Sequence, residues 1–137
     1  MGGGRLIGCI RLAGAVHLGI IAANLPLPGK LRVRSHLAGI PKFLRQIFYV
    51  HWIYIVIVLA LFAALCFGFA RDLAGATGLG RFLSAFIAGF WLLRIVLQAF
   101  YYDRAVRREM PVLDSLYFAS LIALTAIFAV AAIHPLR

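Results

Sequence analysis

From Phe82 to Tyr102 the chain is apolar for 21 residues, except where a few polar side chains recur at a regular interval. A run of that length crosses a bilayer as a helix. Ser84, Ile87, Trp91, Arg94, Gln98 and Tyr101 fall on spacings of three and four, and Phe86, Phe90, Leu93, Leu97 and Phe100 line the opposite side. One face is therefore expected to meet lipid and the other protein. Arg94 is the only formal charge inside the run. A guanidinium in hydrocarbon costs at least ~2.5 kcal/mol on insertion scales, so Arg94 should face a bundle interior or a wet cavity.

Three further apolar stretches, at about 6–25, 46–70 and 112–133, have the same character as the run at 82–102. Together they predict an all-α integral membrane bundle of four transmembrane helices, one domain over 1–137 with no soluble domain. Composition agrees: 64% of the residues are hydrophobic and the mean hydropathy is +1.00, against about 45–50% apolar residues in soluble domains. The formal charge of +10 arises from 14 Lys and Arg against 4 Asp and Glu. Because these bases lie mostly between the apolar runs, an anionic membrane surface accounts for them and nucleic acid does not.

The first span is rich in small residues (Gly8, Gly14, Ala15, Gly19, Ala22, Ala23), which let a neighbouring helix approach closely. Its start imitates three targeting signals. Gly8-Cys9 has the form of a lipoprotein box without an apolar segment before it, and Leu6 stands where a myristoylation site needs Ser or Thr. Arg5 and Arg11 ahead of a stretch ending near Ala22-Ala23 have the form of a cleaved signal peptide. The segment is read as a retained helix, ended by Pro26, Pro28 and Gly29.

Residues 26–46 carry Lys30, Arg32, Arg34, Lys42 and Arg45, read as a segment lying on anionic head groups, with Pro41 placed for the first turn of the next helix. In the second span Ala60, Ala64 and Gly68 recur every four residues and predict a close-packing seam. Arg71-Asp72 and the glycines at 75, 78 and 80 predict a short turn. In the fourth span Asp114-Ser115 offers a cap and first-turn anion, and Ser115, Ala119, Ala123 and Ala126 are expected to mark its packed face.

The loops 26–46 and 103–111 hold eight bases, and the other side holds five: Arg5, Arg11, Arg71, Arg81 and Arg137. The positive-inside rule then puts the termini outside and both basic loops in the cytoplasm, in a plasma (inner) membrane. All five tyrosines and Trp52 lie toward the same basic side.

At 1.5 Å per residue, His17, His51 and Arg94 come to ~9–14 Å above that side and are expected to share a layer with Tyr54, Gln98, Tyr101 and Ser120. This His/Arg/Tyr layer is the candidate ligand or head-group site. His17 and His51 could ligate a haem b iron from two sides. The same groups could hold quinone carbonyls or a lipid head, or line a proton or transport pathway. The opposing reading is that they only bond across helix interfaces. No HxxxH or HxxE spacing is present, so no other metal site is expected. No GxSxG motif, Ser/Lys pair or buried acid accompanies the serines, so no catalytic residue is named. His36 and His134 are read as solvated, Asp103 and Asp114 as caps or partners of Arg104 and Arg107, and Cys9 and Cys66 as packing residues.

Two function classes stand. One is a non-enzymatic accessory or structural subunit, packed against a membrane-protein partner or in a homo-oligomer. The other is a redox or lipid-binding protein working through the polar layer. The alanine face of the fourth span favours packing over chemistry.

Overall fold

The fold is that of a computed structural model, which describes residues 2–26, 29, 35, 37–101 and 111–136. Five helices are present among them: α1 (Gly3–Asn24), α2 (Lys42–Gly68), α3 (Ala70–Ala74), α4 (Gly78–Phe100) and α5 (Pro111–Ile133). All but α3 are long and apolar enough to cross a membrane, so the protein is an all-α, four-helix integral membrane bundle. At 27 residues α2 is about 40 Å long, more than the ~30 Å hydrocarbon core. Its first turn, with Lys42 and Arg45, reaches beyond the apolar run. Pro41 stands just before that turn, as its N-cap.

The chain forms two antiparallel hairpins, α1 with α2 and α4 with α5. In lipid no hydrophobic force draws helices together, so close packing and hydrogen bonds must do it. Gly14 provides the closest approach in the first hairpin: a Cβ there would stand 2.9 Å from the Cys66 Cβ and 3.1 Å from the Phe67 ring. The other small residues of α1 that the sequence offered for packing, Gly8, Ala15, Gly19, Ala22 and Ala23, are not buried.

Three further expectations are corrected. Ala60, Ala64 and Gly68 face outward, and nothing lies within 4 Å of a Cβ built on Gly68. No helix among the described residues fills that seam. In α5 the expected face of Ser115, Ala119, Ala123 and Ala126 is exposed, and Leu121, Leu124, Phe128 and Ala131 are buried instead. The bundle here is filled by large side chains rather than approached through small ones. The turn read at 75–80 is also more regular: α3 occupies Ala70–Ala74, and Gly78 already begins α4.

That short α3 ties the bundle together at one end, touching all four long helices. Its fit to α4 depends on Gly80, where a Cβ would fall 2.1 Å from the Asp72 carbonyl oxygen. Only glycine permits the two backbones to meet so closely. Thr77 caps α4 by accepting from the Gly80 N–H, and Ser84 donates to the Leu73 carbonyl at 2.8 Å. The Leu136 N–H then donates to the Ala74 carbonyl at 2.7 Å, bringing the segment after α5 onto α3.

The core lies toward this end, where both termini also lie. In α2 the buried residues are Leu59, Phe62, Ala63 and Cys66, with none before Leu59. In α5 burial begins only at Leu121. The half of the bundle near the basic loops is therefore much less tightly packed.

Candidate functional site

The polar residues expected in one layer separate into three groups. The deepest is His17, fully buried and met by a ring from each of the other long helices: Phe62 of α2, Trp91 of α4 and Phe128 of α5. Its Nδ1 is 2.6 Å from the Ala13 carbonyl, and its Nε2 is 3.1 Å from the Trp91 indole nitrogen. An indole N–H can only donate and a carbonyl can only accept. The ring is therefore the neutral tautomer with hydrogen on Nδ1, and both nitrogens are engaged. Phe62 also packs edge-to-face on Phe86 and Phe90, and Phe90 on Trp91, so the imidazole sits at the centre of an aromatic cluster.

The second group joins α4 to α5 nearer the basic end. Gln98, 6% exposed, donates from Nε2 to Asp114 Oδ1 at 2.9 Å. One turn deeper, Arg94 Nε donates to the Tyr117 hydroxyl at 3.3 Å, with the guanidinium carbon 5.9 Å from the tyrosine ring centroid. Arg94 is half-buried, as its cost in hydrocarbon requires. Asp114 stands in the first turn of α5, as read from sequence, and accepts from Gln98; Arg104 and Arg107, its other expected partners, lie outside the described residues. The sequence offered a signal for this pair: an amide two residues before the end of α4 faces an acid in the first turn of α5.

The third group faces outward. His51 is exposed, its Nδ1 2.9 Å from the Ile47 carbonyl of its own helix, and Tyr54 and Tyr101 are 64% and 82% exposed. Ser120 donates to the Leu116 carbonyl one turn back.

The single layer is thus corrected. His17 contacts Phe62, which lies eleven residues beyond His51 along α2, an axial separation of ~16 Å. The estimate of equal depth failed because α2 begins at Lys42 and meets α1 through its far half, around Leu59 to Cys66. His17 and His51 are not brought together as a pair of axial ligands. Among the described residues no group of three or more His, Cys, Asp or Glu is placed to hold a metal ion. Cys9 and Cys66 are both free thiols.

Of the surface bases, Lys42 lies exposed and Arg45 half-buried at the start of α2. Lys30, Arg32, Arg34, His36, Tyr102, Asp103, Arg104, Arg107 and Arg108 lie outside the described residues. Two features were not anticipated from sequence. The Trp52 indole nitrogen is buried without a hydrogen-bond partner. At the termini end, Ala76, Arg81, Ile133, His134 and Pro135 line an open recess of about 390 Å³.

Comparison with protein-family models, curated proteins and solved structures returns no match for this chain.

Proposed function

We propose that the protein is a non-enzymatic membrane subunit that associates with a second membrane protein, or another copy of itself, through the outward small-residue face of α2. One observation carries this reading: Ala60, Ala64 and Gly68 keep a four-residue repeat that no helix among the described residues uses, with open space over Gly68. Lipid accommodates leucine as readily as glycine, whereas a partner helix gains close backbone contact from small residues. The deep polar group supports the same reading, because His17 spends both ring nitrogens inside the protein.

Gly68→Leu and Ala64→Leu test it. Ala64 is exposed and a Cβ on Gly68 has open space, so thermal stability should stay near wild type while particle size in mild detergent, or the copurifying protein, is lost. Unchanged assembly in both variants would refute the proposal.

A second reading rests on the α4/α5 group. Arg94, Tyr117, Gln98 and Asp114 place a guanidinium, a phenol, an amide and a carboxylate near the basic loops, a set suited to an anionic lipid head or a quinone carbonyl. Arg94→Leu discriminates: loss of copurifying lipid or quinone with assembly intact would favour this site over the α2 face. For orientation, the eight-to-five base count places the termini outside the cytoplasm. Labelling of a Ser35→Cys variant by an impermeant thiol reagent from outside intact cells would reverse it.

A further inference from the structure

The recess at the termini end is not used by either reading above. Arg81, in the first turn of α4, donates from Nε to the Ala132 carbonyl at 3.1 Å. That carbonyl belongs to the last turn of α5, where helix acceptors have no partner of their own. The bond anchors the guanidinium against the rim, and its two terminal nitrogens have no hydrogen-bond partner among the described residues. Beside it His134 is exposed, and its ring has no hydrogen-bond partner among the described residues. Ile133, Pro135 and Ala76 complete the recess with apolar surface.

We infer that this recess binds the phosphate of an anionic membrane lipid, with Arg81 and His134 supplying donors and Ile133 and Pro135 meeting the start of the acyl region. Three features support a lipid. The recess sits at the ends of two membrane-crossing helices, at head-group level. A guanidinium held by one nitrogen presents the others as a fork that matches phosphate oxygens. The described charges at this end, Arg5, Arg71 and Arg81 against Asp72, leave it positive, and Asp72 forms no ion pair with Arg81.

The test places a benzophenone photocrosslinker at Ala76, on the recess wall, in the full chain reconstituted into vesicles of phosphatidylglycerol in phosphatidylcholine. Adducts are read by mass spectrometry. One base beside an anionic surface is worth about 1 kcal/mol, or about fivefold, so the phosphatidylglycerol adduct should exceed its share of the vesicle by about that factor. Arg81→Gln should return it to that share, and Arg81→Lys, which keeps the charge without the anchoring Nε, should retain part of the excess. Thermal melting of each variant identifies any loss caused by unfolding. A wild-type adduct ratio equal to the vesicle composition would overturn the inference. Loss of the excess when inorganic phosphate is present during irradiation would also overturn it, assigning the recess to the soluble ion.

Discussion

His17 and Trp91 provide the most direct test of what holds the two hairpins together. The pair is dry, with His17 fully buried and Trp91 nearly so, and its 3.1 Å bond links α1 to α4. Replacing each by phenylalanine keeps an aromatic ring on both sides and removes the bonding nitrogens, with some loss of ring volume at Trp91. His17→Phe leaves the indole N–H unpaired, and Trp91→Phe leaves the imidazole lone pair unpaired. A buried polar group stranded in this way costs about 1–3 kcal/mol, whereas removing both partners is much milder. The double variant should therefore be less destabilised than the sum of the single ones. Bonds between transmembrane helices average about 0.6 kcal/mol by such cycles, with a maximum near 1.7. Because no water reaches His17, the coupling is expected toward the upper end, at about 1–1.7 kcal/mol. Volume changes enter both arms of the cycle and cancel to first order. Reversible unfolding in bicelles, followed with the four proteins side by side, measures the quantity. Additivity within about 0.3 kcal/mol would mean that the imidazole and indole are merely adjacent, and the account of His17 as the bonded centre of the bundle would fail.

Gly80→Ala should destabilise the protein by about 3 kcal/mol, since its Cβ would stand 2.1 Å from the Asp72 carbonyl oxygen and only backbone movement can relieve the clash. Wild-type thermal stability in detergent would show that α3 does not bear on α4 in this way. Asp114→Leu removes the acceptor facing Gln98 and should cost about 1–3 kcal/mol, while Asp114→Asn, which keeps an oxygen there, should cost much less. Equal melting of the two variants would separate the Gln98 contact from stability.

What the sequence made legible was set by contrast between side chains. In α4 the periodic polar residues stand out against phenylalanine and leucine, and Ser84, Ile87, Trp91 and Gln98 are buried while Phe86, Leu93 and Phe100 face outward, as read. In α5 nearly every residue is apolar, so neither face is marked. Small residues mark packing only where backbones approach closely, and in α5 Leu121, Leu124 and Phe128 fill the interior instead. The site divided for a related reason. Depth counted along one helix does not say how that helix slides past its neighbour, and α2 is displaced so that Phe62, not His51, lies level with His17. The contact between α3 and Gly80 had no signature beyond a cluster of glycines, whose meaning depends on a backbone meeting eight residues away in sequence.

The two bonds of His17 also bear on how such a chain is made. The Nδ1 hydrogen is satisfied within α1, by Ala13, so the first helix can enter the bilayer with its only polar N–H in that ring already provided for. Helix α2 follows and brings Cys66 and Phe67 against Gly14, a contact made within the first hairpin. The second nitrogen must wait for Trp91 to be synthesised and inserted, and the contact beside Gly3 must wait for Leu136. Synthesis order thus separates the two bonds of the histidine: its acceptor nitrogen is made with the first hairpin, and the indole donor comes with α4 of the second.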